Sequence, residues 1–371
     1  MTFKDLSLSG AVLKALQEKG YQNPTPIQKE AIPHIMAGRD LLGLAQTGTG
    51  KTAAFCIPML ERLSASRSKG HIRALILTPT RELAIQVFEN LEFYGRHMHL
   101  RSVAIFGGVS QFHQVREIKK GVDILVATPG RLHDLRNQGL ISLRELEILV
   151  LDEADRMLDM GFIHDIKNLL RVIPPVRQNI FFSATMPSEV QELVKTLLKN
   201  PVKVAVQSSG AKPKIAQSVY YVQREKKRAL LKHVIAEREM QNVLVFARTK
   251  YGADKIAKDL VKSGISAEAF HGDKSQGARQ RALSNFKLNL TRVLVATDIA
   301  ARGIDISDLP FVINFELPET AETYTHRIGR TGRAGQTGSA LSFCDREEMD
   351  QLKSINRVAS EPLKVIEHPF I

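Results

Sequence analysis

Three short stretches carry side chains suited to chemistry on a phosphorylated molecule. In AQTGTGKT (45–52) the loop Gln46, Thr47, Gly48, Thr49 and Gly50 can turn backbone N–H groups toward a phosphate. Lys51 can neutralise β- and γ-phosphate charge, and Thr52 can offer its hydroxyl to Mg2+. The general pattern G-x-x-x-x-G-K-[ST] begins with glycine, and here Ala45 takes that place. In EILVLDEAD (147–155) Asp152 follows four apolar residues, where it can hold Mg2+, partly through water, with Glu153 placed to orient or deprotonate an attacking water. The same acidic run also suits a helix start, because carboxylates favour the N-terminal end of the helix dipole. Paired with the phosphate loop in the same half of the chain, it implies a nucleoside triphosphate site. In HRIGRTGR (326–333) Arg327, Arg330 and Arg333 recur every third residue. Arginine fills a core poorly and binds phosphate well. The stretch is therefore either a basic surface helix or a source of arginine fingers, Arg330 and Arg333, on a γ-phosphate, worth on the order of 10³–10⁵ in rate.

These residues need rigid elements behind them. Short runs rich in Val, Ile and Leu recur at 40–45, 74–80, 102–108, 123–130, 147–155 and 179–185, and again at 242–249, 292–298, 311–318 and 339–345. They are apolar on both faces and separated by amphipathic helical segments, which predicts buried parallel strands of α/β sheets. Polar residues collect at their ends, among them Thr78, Thr128, Asp152, Ser183, Thr249, Thr297 and Asp298, where such sheets bind ligands. DILVATPG in the first half is echoed by RVLVATD in the second. The expected organisation is a first domain at 1–206, a linker at 207–214 read from Ser-Ser-Gly and Lys-Pro-Lys, and a second domain at 215–371. The active site is expected in the cleft between two similar lobes.

The chain has 371 residues, 43% hydrophobic and 25% charged, which suits about two globular domains and excludes disordered, collagen-like and coiled-coil classes. No run approaches the ~18–20 apolar residues of a membrane span, and the first twenty residues lack a signal peptide's apolar block. Cys56 and Cys344 each sit in an apolar run, as buried thiols of a reducing cytoplasm do. No Cys/His cluster has the spacing of a structural zinc site. The net charge of +13 divides as 26 basic against 20 acidic residues in 1–206 and 26 against 19 in 207–371, an excess of +6 and +7. A basic surface spread over both halves attracts phosphate polyanions by counterion release.

Taken together, the ordered motifs resemble the DEAD-box ATP-dependent RNA helicases of helicase superfamily 2, over essentially the whole chain. GYQNPTPIQ (20–28), AQTGTGKT, PTRELA (79–84), GG (107–108), TPGR (128–131), DEAD (152–155), SAT (183–185), VLVFAR (243–248), ATDIAARGID (296–305) and HRIGRTGR stand in the family's order. AQTGTGKT is the family's own form of the phosphate loop, which accounts for Ala45. Within the family the chain looks most like the bacterial RhlE branch. The resemblance implies an α/β fold of two tandem RecA-like domains, each a mostly parallel sheet flanked by helices, with ATP and RNA sites at the interdomain cleft.

The resemblance also implies roles. Gln28 would read the adenine edge and Phe3, seventeen residues upstream of GYQNPTPIQ, would stack on the ring. Lys51 and Thr52 would serve phosphate and Mg2+, Asp152 the metal, Glu153 the water, Asp305 the ribose, and Arg330 and Arg333 the γ-phosphate. Ser183 and Thr185 would couple hydrolysis to strand separation through the DEAD residues and His326, although both also suit simple strand-end capping. RNA contacts would come from Arg81, Gly108, Thr128 and Arg131 in the first domain, and from Arg248, Gly272, Gln276, Arg279 and Thr297 in the second. Arginines, hydroxyls and backbone N–H groups bind phosphate without reading bases, so RNA binding without sequence preference is expected.

The implied activity is RNA-stimulated ATP hydrolysis that closes two lobes on single-stranded RNA or a short duplex and opens the duplex locally. An ATP-gated RNA clamp with slow hydrolysis is the alternative. A DNA translocase of the same superfamily is disfavoured by the Gln28 segment and the compact length, and a phosphate-loop kinase by the ordered second-half motifs. After HRIGRTGR the remaining residues suffice for a strand (SALSFC) and a helix (EEMDQLKSINRV), with no basic or Gly/Arg-rich tail. A bare catalytic core and a shortened chain both fit this. A monomeric cytoplasmic core with weak RNA affinity, working beside ribosome-assembly or RNA-decay complexes, is expected.

Overall fold

The computed structural model describes residues 1–46, 48–66, 70–206, 215–301, 306, 309–332, 338–359 and 362–370. The expected linker 207–214 and the site candidates Thr47, Asp305 and Arg333 lie outside the described residues. The chain divides into two compact units, Met1–Ser209 and Gly210–Ile371.

The first unit is built on a sheet of β1 (Leu41–Leu44), β2 (Ala74–Leu77), β3 (Ser102–Ile105), β4 (Ile124–Ala127), β5 (Ile148–Leu151), β6 (Gln178–Ser183) and β7 (Val202–Ala205), in the order β3-β4-β2-β5-β6-β1-β7. The second holds β8 (Ile215–Tyr221), β9 (Val243–Phe246), β10 (Ala267–Phe270), β11 (Val293–Ala296), β12 (Phe311–Asn314), β13 (Gly338–Cys344) and β14 (Lys364–Val365), in the order β10-β11-β9-β12-β13-β8-β14. All of these strand pairings are parallel. Strand for strand, the two orders describe one topology used twice. The sequence echo DILVATPG/RVLVATD falls on β4 and β11, which hold the same place in their sheets, next to β3 and β10.

Alternation along each strand sends neighbouring side chains to opposite faces. Ala74 and Ile76 of β2 join one apolar cluster of the first unit, while Leu75 and Leu77 join the other. In β9, Val243 and Val245 divide from Leu244 and Phe246 in the same way. Helices cover both faces, which is why the strands read as unbroken apolar runs instead of alternating ones. The helix Lys51–Ser64 shows the same logic, with Ala53 through Leu60 all buried.

Four strands, β7, β8, β10 and β14, lie outside the apolar runs of the sequence. β8 carries Gln217 and Ser218 among its apolar residues, and β14 is two exposed residues beside it. Among the described residues no helix is long and apolar enough to cross a membrane.

Candidate active site and nucleic-acid interface

In the first unit the predicted ATP-site residues gather where β1, β5 and β6 end. The chain leaves β1 through Ala45, whose N–H donates to the Ser183 carbonyl at the end of β6 (3.1 Å). That position needs only a backbone group, so an alanine serves in the glycine's place. The loop then turns through Gly48 and Gly50, both at positive φ, and Thr49 Oγ1 donates to the Gln46 carbonyl (2.8 Å). Gly50 caps the helix Lys51–Ser64 in the left-handed conformation, and a Cβ there would meet Gln28 Nε2 at 2.4 Å. The orphan N–H groups of this helix start are thereby aimed along its axis, as phosphate binding requires.

Gln28 is buried and already hydrogen-bonded. Its Oε1 accepts from the Thr25 N–H (2.9 Å), and its Nε2 donates to the Gly50 carbonyl (3.1 Å). One amide N–H and one lone pair remain for a base edge. The same side chain therefore braces the phosphate loop, a role that sequence reading missed. The signal was present: Thr25-x-x-Gln28 is the spacing of a capping box, whose Gln reaches back to the N-cap backbone.

Lys51 and Asp152 are both buried, and among the described residues Lys51 Nζ and Asp152 Oδ1 have no hydrogen-bond partner. Burial pushes the Asp152 carboxyl up to about 6; the Lys51 charge pulls it back, while Glu153 and Asp155 add to the rise. A phosphate at Lys51 and a divalent cation at Asp152 would each satisfy an orphaned buried atom, so the residues fit Mg2+ and a nucleotide phosphate. Thr52 stands half-buried in the first turn of the helix. Glu153 adopts the left-handed conformation (φ 53°) and opens the short helix Ala154–Asp159, with its Oε2 bound by Arg156 Nη1.

Ser183 and Thr185 meet the last residue of the acidic run. Asp155 Oδ2 accepts from the backbone N–H groups of Ala184 (3.1 Å) and Thr185 (2.8 Å) and from Thr185 Oγ1 (2.9 Å). Ser183 Oγ donates to the Thr185 carbonyl (2.8 Å) and accepts from the Asp155 N–H (3.3 Å). The structure thus joins DEAD to SAT through hydrogen bonds. His326 belongs to the other unit, exposed on the helix Ala321–Ile328.

Phe3 departs from expectation. It is 3% exposed and packs in the apolar cluster with Leu6, Leu8 and Leu16. A stacking partner for adenine needs an open ring face, and here protein covers both.

The predicted RNA residues of the first unit sit at the ends of β2, β3 and β4. Arg81 begins the helix Arg81–Tyr94, capped by Thr80 Oγ1 accepting from Leu83 N (3.3 Å). Its guanidinium lies over Gly108. Thr128 caps the helix Pro129–Asn137, and its N–H donates to the Ile105 carbonyl (3.1 Å). Arg131 turns inward: Nη1 donates to Gln114 Oε1 (2.9 Å) and Nη2 to the Val109 carbonyl (3.0 Å), while Gln114 Nε2 donates to the Phe106 carbonyl (3.0 Å). Arg131 and Gln114 therefore hold the glycine loop in place, a part that spacing alone does not reveal.

In the second unit the three spaced arginines separate. Arg327 is buried, paired in two hydrogen bonds with Asp298 (Nε–Oδ1 2.6 Å, Nη2–Oδ2 2.7 Å). Its Nη1 donates to Asn314 Oδ1 (3.0 Å) and the Glu316 carbonyl (2.8 Å), and its Cζ stands 4.9 Å from the Phe246 ring centre. It ties the ends of β9, β11 and β12 together and belongs to the fold. Arg330 is buried, and its carbonyl accepts from Leu309 N (3.1 Å).

Arg248 follows β9 closely and stays 47% exposed. Gly272 is exposed, with open space where a Cβ would be. Thr297 is half-buried just beyond β11, its N–H donating to the Phe270 carbonyl (3.3 Å). Gln276 and Arg279 are buried, Arg279 with its guanidinium 4.8 Å from the Phe270 ring centre. These two are thus less open than a phosphate contact requires.

A family model described as DEAD/DEAH box helicase matches residues 25–193, and one described as helicase conserved C-terminal domain matches 225–335. The DEAD-box ATP-dependent RNA helicase CshA of Bacillus cereus is 41% identical over 371 residues, covering 100% of this chain and 70% of that protein. The RNA helicase CrhR of Synechocystis is 43% identical over 370 residues, 99% of this chain and 75% of that one. Among solved structures, S. cerevisiae Dbp5 bound to RNA and ADP BeF3 aligns with a TM-score of 0.83 at 30% identity, covering 98% of this chain and 95% of its own. A DEAD box protein of Methanococcus jannaschii aligns with a TM-score of 0.55 at 38% identity, covering 99% of both chains. With both halves matched by family models, relatives similar along its length and a site of the required chemistry, this chain belongs to the DEAD-box helicase family.

Proposed function

We propose that the chain is an ATP-dependent RNA helicase whose RNA-stimulated ATP hydrolysis closes domains 1–206 and 215–371, joined by the linker 207–214, on RNA and opens short duplexes without reading their sequence. The observation that carries this reading is the pair of buried groups at the phosphate loop, Lys51 Nζ and Asp152 Oδ1, each lacking a partner among the described residues. An ammonium and a carboxylate held this way await a phosphate and a cation. The curated relatives, named as RNA helicases, and the RNA-bound Dbp5 support the same substrate.

In this reading Gln28 reads the base and braces the loop, Lys51 draws the phosphate charge inward, and Thr52 and Asp152 hold Mg2+, Asp152 partly through water. Mg2+ neutralises charge on the β- and γ-phosphate oxygens when bound. Glu153 takes a proton from the attacking water, and Arg156 at its Oε2 keeps the carboxylate oriented. Arg330 and Arg333 meet the charge that develops on the γ-phosphate, and Asp305 binds the ribose. Asp155 passes the state of the acidic run to Ala184 and Thr185 through three hydrogen bonds. Arg81, Gly108 and Thr128 in the first unit and Arg248, Gly272 and Thr297 in the second contact the RNA backbone.

The setting is the cytoplasm, with a monomeric core acting beside ribosome-assembly or RNA-decay machinery. The test is ATP turnover without nucleic acid, with single-stranded RNA and with DNA of the same sequence, run beside a strand-displacement assay. Stimulation by RNA alone with displacement of a short duplex is expected. Equal rates in all three overturn the reading, and stimulation without displacement replaces it with an ATP-gated clamp.

A further inference from the structure

Beyond the residues already given roles, the second unit buries a carboxylate at the point where three of its strands end. Glu348 closes the short helix Arg346–Glu348 after β13 and is 3% exposed. Each of its oxygens accepts twice. Oε1 takes Nη2 of Arg248 and the N–H of Leu317, both at 3.0 Å. Oε2 takes Nζ of Lys227 and the N–H of Asp345, the latter at 3.3 Å. Lys227 is 1% exposed, and its Nζ also lies 3.1 Å from Asp345 Oδ2. Two cations and two carboxylates therefore balance within one network, and the Glu348 charge stays compensated whether or not anything binds nearby.

The network has one open side. Lys227 is enclosed, whereas Arg248 is 47% exposed and held at two points: its backbone N–H donates to Glu316 Oε2 (2.7 Å), and its Nη2 is held by Glu348. The other guanidinium N–H groups of Arg248 have no hydrogen-bond partner among the described residues and remain available to a phosphate. An arginine free in solution samples many rotamers, and Glu348 removes part of that freedom in advance.

We propose that Glu348 is a positioning residue for RNA binding: through Nη2 it holds the Arg248 guanidinium at the end of β9 with its remaining donors facing an RNA phosphate. Lys227 Nζ and the Asp345 N–H hold the carboxylate in place. The proposal rests on Arg248 being an RNA contact, as read above.

The experiment is a double-mutant cycle on the full chain. Binding of a fluorescein-labelled single-stranded RNA is followed by anisotropy with a non-hydrolysable ATP analogue, beside RNA-stimulated ATP turnover. Arg248→Ala is expected to weaken RNA binding about tenfold and Glu348→Gln about fivefold, with no further loss when the two are combined. The loss falls on the RNA concentration for half-maximal stimulation, with the maximal rate within about twofold. Glu348→Asp keeps the charge beside Lys227 but withdraws it from Arg248, and should weaken RNA binding in the same direction in a folded protein. Additive losses, unchanged RNA affinity in both Glu348 variants, or failure of both to fold would assign the network to stability alone and overturn the proposal. Unchanged RNA affinity in Arg248→Ala would instead remove the reading of Arg248 on which it rests.

Discussion

The Arg81 guanidinium lies so close over Gly108 that a Cβ on the glycine would come within 2.0 Å of Nη1 and 2.3 Å of Cζ. Gly108 also sits at φ +76°, a conformation costing roughly 1–2 kcal/mol for an L-residue. Gly108→Ala should therefore push the arginine aside and lower stability by about that amount. Thermal unfolding is expected to shift by a few degrees, while RNA affinity measured by anisotropy falls about tenfold through the displaced Arg81.

In the proposed mechanism Lys51 and Glu153 act at different points, and their substitutions should separate. Lys51→Ala removes the buried ammonium and is expected to weaken ATP binding and turnover together. Glu153→Gln keeps the side chain's shape beside Arg156 but cannot take a proton. It should bind nucleotide at near the original affinity while turnover falls on the order of 10²–10⁴-fold. Substantial turnover in the Gln variant would remove Glu153 as the base.

Arg327 and Arg330 stand three residues apart, and the proposed mechanism gives them different tasks. Arg327→Ala would leave Asp298 and the Asn314 amide without their buried partner, at a cost of about 3–5 kcal/mol in denaturant unfolding. Arg327→Lys recovers only part of this, since an ammonium cannot match both Asp298 oxygens. For Arg330→Ala the expected loss is in ATP turnover, on the order of 10³-fold with RNA bound. A stability loss in Arg327→Ala below about 1 kcal/mol would contradict its structural assignment.

The two thiols make a pH-dependent prediction. Burial pushes Cys344 up to about 12 and Cys56 well above its ordinary value, so neither forms a thiolate near neutrality in the folded chain. The thiolate is the reactive form. Both cysteines should resist iodoacetamide at pH 8 until guanidinium unfolds the protein. On unfolding, the pKa values return to about 8.5. As pH climbs past that point the unfolded chain releases thiol protons before the folded one. The thiol contribution to stability is thus full below about pH 8 and declines through the alkaline range toward 12, which unfolding midpoints at pH 8 and pH 10 would reveal.

Much of this molecule was legible before any coordinates. Val-, Ile- and Leu-rich runs become strands because helices bury both faces of each sheet, and the polar residues at their ends mark where the sites lie. AQTGTGKT and DEAD declare their chemistry because a phosphate loop and a strand-end carboxylate depend on neighbours close in sequence. β8, β10 and β14 escaped notice because Gln217 and Ser218 interrupt the first, Glu268 interrupts the second, and the third is only two residues long.

Partnership across the fold was decided by tertiary structure alone. The spacing of Arg327 and Arg330 is regular, yet only the packing of β9, β11 and β12 sends Arg327 to Asp298, 29 positions away. Gln28 reaches Gly50, Arg131 reaches Val109, and Phe3 is buried in the apolar cluster of the first unit. Glu348 meets Arg248 across 100 positions, although nothing near either residue announces the other. Local patterning selects which groups a chain possesses and which element carries them. Which buried charge finds which partner depends on the order of strands in the sheet, because burial penalises a charge left unpaired and only the assembled strand ends bring its counterpart within reach.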